Sequence, residues 1–232
     1  MFAEFEKNGF TILRNVLDEE TITHLLESLS KLKSSVEVSQ KKDSVFGVRN
    51  LLNIAPEMKE FSESETVRNI AEKFLGAKAK VVRAIYFDKT PDANWKVLWH
   101  QDLTISVKEK CKTNGFSAWT MKAGIHHVQP PVEILEKMIA LRFHLDSADE
   151  TNGALKIIPE THRKGRLSAA EIKIIREANE TTVCRVKQGD CLIMRPLILH
   201  SSSAGTNPKN RRVIHLEFSA GDLPNGLEFY GS

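Results

Sequence analysis

Apolar residues repeat with a helical period near the start of the chain and give way to short β-rich runs after residue 79. Ile22, Leu25, Leu26, Leu29 and Leu32 form one stripe behind Asp18, whose carboxylate can accept from the first free N–H groups of a helix. Val67, Ile70, Ala71, Phe74 and Leu75 predict a second helix. Ser62 and Glu65 form a capping-box pattern before it, and Gly76 supplies the stop. Between the two, Phe46 to Leu52 has no clear period. Lys80 to Phe87 predicts a strand, followed by a loop at 90–94. Further strands are predicted at 97–107, 139–146, 154–158, 182–186, 191–195 and 211–219. Asn152-Gly153 and Gln188-Gly189-Asp190 are turn signals, and Ser168 with Glu171 opens a helix at about 168–178. Residues 108–131, with Gly115, Gly124, Pro130 and Pro131, show no period and read as a long loop of the kind that forms lids or binding surfaces.

This pattern predicts a mainly β chain with N-terminal helices, a β-sandwich or open barrel with the helices packed on one sheet. With no repeat or linker, residues 1–232 are expected to form one domain, helical over about 1–78 and strand-rich over about 79–220. The 33 basic and 30 acidic residues leave a net charge of +3, too balanced and too scattered for a nucleic-acid partner. No run approaches the ~20 apolar residues of a membrane span. Cys111, Cys184 and Cys191 are an odd, irregularly spaced set that fits reduced thiols, and Met1 to Lys7 lacks a secretion-signal pattern, so a cytoplasmic location is expected. The sequence carries no signal for oligomeric state.

The chemistry concentrates in the histidines. In a strand, positions i and i+2 share a face, so His100 and Asp102 can aim a nitrogen and a carboxylate oxygen at one point. With His200 they would complete a two-histidine, one-carboxylate face that leaves positions open on a metal. His144 and Asp146 form a second such pair, and either pair could be structural. Two features favour the first: an early strand and a late one meet at one mouth of a jelly roll, whereas His144 runs directly into the turn-like stretch Ser147 to Gly153. The adjacent His126 and His127 point to opposite sides of an extended chain and read as loop or substrate-side residues.

Taken in order, Trp99 to Asp102, Leu145 to Leu155, Ile158 to His162, Pro196 to Ser202 and Arg211 to Phe218 resemble the phytanoyl-CoA dioxygenase family of iron(II)/2-oxoglutarate oxygenases. The resemblance spans about residues 80–220 and is nearer the bacterial branch than the animal enzyme that handles branched acyl-CoA. It implies a double-stranded β-helix (a cupin-like jelly roll) and iron held by His100, Asp102 and His200. It also implies an arginine eleven residues after the distal histidine, Arg211, on the far carboxylate of 2-oxoglutarate. Facing supports that choice over Arg212, which shares its side with Ile214, Leu216 and Phe218. Arg142 stands where some members place an aromatic residue near the keto acid, and Arg83 could face the same pocket. Each reads as a structural ion-pair partner ahead of a ligand.

The expected activity is hydroxylation of a small molecule with release of succinate and carbon dioxide, using iron(II), 2-oxoglutarate and molecular oxygen. Halogenating relatives carry a small residue at the position of Asp102, so a carboxylate there implies hydroxylation or a related oxidation. A jelly roll that keeps the three ligands without turnover stays open, as does a metal-dependent cupin that needs no keto acid. Specificity is expected in segments 36–50, 88–96 and 108–131. Lys89, Lys96, Lys108, Lys110, Lys112 and Lys122 hint at an anionic substrate, with solvated loop lysines as the alternative. Trp95, Trp99 and Trp119 read as core or pocket wall, and no coenzyme-A site is legible.

Overall fold

Antiparallel sheets frame the computed structural model, which describes residues 1–32, 38–41, 44–207 and 209–231, with side chains described for all of these except 38–41 and 44–46. The largest sheet runs, edge to edge, through Phe10–Leu13 (β1), Cys191–Met194 (β12), Met138–His144 (β9), Arg211–Ser219 (β14), Lys80–Lys89 (β4), Ser44–Val48 (β3) and Val38–Lys41 (β2). A second sheet is built from Thr182–Val183 (β11), Leu155–Ile158 (β10), Leu199–Ser202 (β13) and Val97–His100 (β5). A third joins Ile105–Val107 (β6), Ile125–Gln129 (β8) and Ser117–Lys122 (β7). The architecture is mainly antiparallel β with N-terminal helices, as the strand pattern predicts, and has the jelly-roll arrangement that the family resemblance implies.

Alternation along β14 and β9 sorts the chemistry. Ile214, Leu216 and Phe218 face outward with Leu141 and Phe143, into a core shared with the helices Phe2–Asn8 (α1), Glu19–Ser30 (α2), Pro56–Ser62 (α4) and Glu65–Leu75 (α5). The short helix Leu51–Ile54 (α3) adds Leu51 and Leu52 to this layer. Phe61 meets Phe143 edge-on, with ring centroids 5.0 Å apart. The fully buried Phe143 would cost about 3–5 kcal/mol on truncation to alanine. On the inward face the same strands carry Arg142, His144, Arg211, His215 and Glu217, all buried. The large sheet thus has an apolar side closed by helices and a polar side turned to the smaller sheets.

Several sequence expectations need correction. The cap of α5 is Ser64, whose hydroxyl accepts from the Val67 N–H at 3.4 Å. Ser62 closes α4 instead, donating to the Lys59 carbonyl. The run 97–107 is two strands, because the chain leaves the ladder after His100; the Asp102 N–H donates to the Pro196 carbonyl. Gln101 fastens this departure: its amide nitrogen donates to Gly165 and Leu197 carbonyls while its oxygen accepts from the Leu167 N–H. Residues 108–131 contain the β7–β8 hairpin rather than one long loop, followed by a short helix, Val132–Leu135 (α6). Strands β1, β2, β3 and β13 also appear where none was predicted, and of 182–186 only Thr182 and Val183 form a strand, with Val186 making an isolated bridge to Ala148. Helix Ala169–Ala178 (α7) begins with the expected reciprocal Ser168–Glu171 capping box.

Candidate metal and cosubstrate site

His200 on β13 and His100 on β5 are registered partners across one ladder, with ring centroids 4.2 Å apart. Each ring donates its Nδ1 proton to the carbonyl two residues earlier, His100 to Leu98 at 2.8 Å and His200 to Ile198 at 2.9 Å. That contact fixes the tautomer and leaves both Nε2 lone pairs facing inward. Asp102 completes the group: its carboxylate oxygens lie 3.5 Å from His100 Nε2 and 3.7 Å from His200 Nε2. The three ligand atoms all lie within 4.8 Å of one another, the grouping among the described residues that can hold a metal ion. Burial pushes the His200 imidazole down to about 4, which keeps it neutral and able to coordinate. Burial would raise the Asp102 carboxyl, but the neighbouring imidazoles, His200 foremost, hold it far below the usual carboxylate range. Burial lowers the His100 pKa, but Asp102 outweighs it and raises it, so metal binding there displaces a proton. Two imidazole nitrogens and one carboxylate suit a divalent first-row metal, and the donor set fits iron(II).

His100, Asp102 and His200 line a cavity of about 600 Å³. Arg211 and Arg142 line it too, both buried and with no carboxylate ion pair among the described residues. The Arg211 guanidinium donates one bond to the Gly153 carbonyl, and its Nε has no partner. Arg142 donates to His215 Nδ1 at 2.9 Å, and its Nε is likewise unpartnered. Because a guanidinium only donates, His215 must accept at Nδ1, which directs its Nε2 proton toward Glu217, 3.4 Å away. Glu217 also accepts from Arg83 at 3.1 Å. Buried guanidiniums with unmade bonds fit a dicarboxylic keto acid.

Arg212 points elsewhere. It forms a two-pronged bond with Asp146, from both Nε and Nη2 at 2.7 Å, on the outer side of the sheet. That pairing accounts for Asp146, and its sequence neighbour His144 is buried between Arg142 and Arg211 with both ring nitrogens unpartnered. The second His-x-Asp pair is therefore split between two faces. Of the tryptophans, Trp95 lines the cavity, Trp119 packs in a separate apolar cluster, and Trp99 lies beneath Arg176 of α7. His126 and His127 lie on β8, in a strand and not a loop.

Sequence patterning gives no sign of Ser202 or Gly153 as site residues and places Lys89 in a basic loop segment. Lys89 is buried on β4, beside Arg211 in the ladder, and donates to Ser202 Oγ at 2.7 Å and the Ser203 carbonyl at 2.6 Å. Ser202 passes its own proton to the Gly153 carbonyl, the same oxygen that receives Arg211. Gly153 has φ +82°, and a Cβ there would lie 2.6 Å from the Ser203 carbonyl, so no side chain fits. The Asn152-Gly153 turn signal was the only trace of this arrangement in the sequence. Of segment 36–50, Gly47, Val48 and Arg49 reach the cavity, while 36–46 lie outside the described side chains.

The family model described as "Phytanoyl-CoA dioxygenase (PhyH)" matches residues 5–213. A Caenorhabditis elegans protein, "Phytanoyl-CoA dioxygenase domain-containing protein 1 homolog", is 20% identical over 253 residues, covering 90% of this chain and 86% of that protein. Among solved structures, EctD from S. alaskensis, crystallised with 2-oxoglutarate and 5-hydroxyectoine, has a TM-score of 0.73 at 14% identity, covering 94% of this chain and 74% of its own. The non-heme alpha ketoglutarate dependent carbocyclase SnoK from nogalamycin biosynthesis has a TM-score of 0.70 at 14% identity, with coverages of 95% and 83%. These structures share the double-stranded β-helix fold with the chain. No helix among the described residues is long and apolar enough to cross a membrane.

Proposed function

Because the chain belongs to the phytanoyl-CoA dioxygenase family, we propose that it works as a non-haem iron(II)/2-oxoglutarate-dependent dioxygenase that hydroxylates a small molecule. The observation that carries this reading is the meeting of three donor atoms in a cavity that is also lined by two buried guanidiniums, each with an unpartnered Nε among the described residues. His100 and His200 would each give Nε2 to iron(II), and Asp102 a carboxylate oxygen. With the keto acid and dioxygen, the bound metal supplies the oxidation: one oxygen atom enters a substrate C–H bond, the other enters succinate, and carbon dioxide leaves.

The protein's part is positioning. Arg211, steadied by the Gly153 carbonyl, offers a planar fork to the far carboxylate of 2-oxoglutarate. Arg142, held by His215, lies close enough to both Asp102 and Arg211 to feel their charges, so it faces the keto acid nearer the metal. Arg83 also lines the cavity, yet its bond to Glu217 favours a structural part in the wall. Ile85, Phe87 and Leu155 present apolar surface that keeps water from the reacting groups.

Anaerobic addition of iron(II) and 2-oxoglutarate tests the reading, since a chelated keto acid gives a weak visible band. The band is expected in the parent and should be absent in His100→Ala and His200→Ala. Admission of oxygen should then release succinate. No band and no metal-linked binding of the keto acid would sink the proposal.

A further inference from the structure

The cavity holds more positive charge than the keto acid can answer. Five permanent cations line it, Arg49, Arg83, Lys122, Arg142 and Arg211, against two carboxylates, Asp102 and Glu217. The lining therefore carries three positive charges net. A divalent metal and a doubly charged keto acid cancel each other, so their arrival leaves that surplus in place. Charge of one sign in a low-dielectric cleft draws in a ligand of the other sign.

The surplus has an address. Arg142 and Arg211 belong to the keto-acid end, and Arg83 is bonded to Glu217. Arg49 and Lys122 have no hydrogen-bond or ion-pair partner among the described residues. They come from separate elements, Arg49 directly after β3 and Lys122 at the end of β7. Both converge with Arg83 on His127, a buried β8 histidine whose Nε2 is unpartnered. Burial first, and then Arg83, Lys122 and Arg49, push that imidazole down to about 4, partly opposed by Glu217. His127 stays neutral where three cations already crowd. Thr104 and Gln129 line the same cavity and add neutral hydrogen-bonding groups.

Resting on the dioxygenase reading above, we infer that the primary substrate is a compact organic anion, a carboxylate or a phosphate ester, whose charged group is held by Arg49 and Lys122 while its reacting carbon lies toward His100 and Asp102. Size supports compactness. A cavity of about 600 Å³ falls in the range of small-ligand sites and must hold the keto acid as well.

The test uses full-length protein loaded with manganese(II) and saturated with 2-oxoglutarate, titrated by calorimetry with methylphosphonate and, separately, with propionate. Saturable binding with the keto acid in place is expected for at least one anion. The tighter of the two identifies the phosphate or the carboxylate class. Affinity should fall about tenfold in Arg49→Gln and in Lys122→Gln, and further in the double variant. Both side chains are exposed, and the melting temperature checks that each variant is folded. A second readout needs no variant: manganese broadening of the methylphosphonate phosphorus resonance should place that anion beyond direct coordination. Binding of neither anion, displacement by 2-oxoglutarate, direct coordination to the metal, or unchanged affinity in the folded double variant would each overturn the inference. The iron–keto acid band reports separately on the dioxygenase reading, so failure of the anion site leaves that band intact.

Discussion

His100 and His200 face each other across the β5–β13 ladder, and each gives its Nδ1 proton to the carbonyl two residues upstream. The strands therefore set the spacing of the two rings, and their own backbones set the rotation. Asp102, outside the ladder, is placed by its N–H bond to Pro196 and by the three bonds of the Gln101 amide next to it.

That division of labour gives a first expectation. His200→Ala should weaken metal binding about a hundredfold or more, since even outer-shell partners of metal ligands carry effects of 10–100-fold. Gln101→Ala should weaken it less, about tenfold, by loosening the turn that presents Asp102. Competition with a colorimetric chelator measures both, and equal affinities in all three proteins would refute the assignment.

The adjacent arginines should separate cleanly. Arg211→Gln removes a buried guanidinium from the cavity and should raise the half-saturation of the iron(II) band for 2-oxoglutarate by about a hundredfold. Arg212→Gln should leave that midpoint alone and cost about 1–2 kcal/mol of stability, because its work is the paired bond to Asp146. Interchange of the two phenotypes would show that the wrong arginine had been chosen.

Lys89 predicts a pH dependence. Burial, then Arg211 and Arg142, push its ammonium down to about 7, against 10.5 for a free lysine. Between those values the unfolded chain holds a proton that the folded chain has lost, so stability rises with pH across the window. Lys89→Met removes this contribution. The parent should gain on the variant, in urea midpoint, as pH climbs from neutral toward 10.5. A constant difference across that range would mean that Lys89 does not titrate as described.

Asp190 ties the amino-terminal strand to the body. It is fully buried and accepts from the Asn15 and Lys187 N–H groups and from Arg14. Asp190→Ala should cost about 3 kcal/mol, read as a lowered melting temperature. Burial alone would raise its carboxyl, but these donors outweigh it and the pKa lies below the usual carboxylate range. Its contribution is therefore present at neutral pH and lost on acidification through that lowered value. A variant as stable as the parent at neutral pH would count against this role.

How much of this was legible depended on whether a segment had two unlike faces. On β14, Arg211, His215 and Glu217 alternate with Ile214, Leu216 and Phe218 because one side meets a polar cavity and the other a helical core. The choice of Arg211 over Arg212 could be read from that alternation. β7 lacks the contrast: most of Ser117–Lys122 is exposed, and its turn at Ala123-Gly124 takes positive φ at both residues without the usual Asn-Gly signal. The hairpin that brings Lys122 to the cavity consequently has no hairpin signature in the sequence. His100 and Asp102 were paired correctly in space by an argument about strands that the chain does not obey, since Asp102 has left the strand. A lysine after a predicted strand reads as solvated, and only the packed ladder puts Lys89 beside Arg211.

The cavity also has a place in time. β4 and β14 are neighbours in the large sheet, and Lys89 pairs with Arg211 across that ladder. On the ribosome the first of these strands waits for nearly everything between them to be made. Such distant pairing is slow to form, because the entropy of closing a long loop must be met before any contact rewards it. β14 carries the buried Arg211 and forms the wall between β9 and β4. Until it docks there is a row of strands but no chamber. Loading with metal and keto acid is then an event that follows synthesis, and a chain cut short before residue 211 would be born without a site to load.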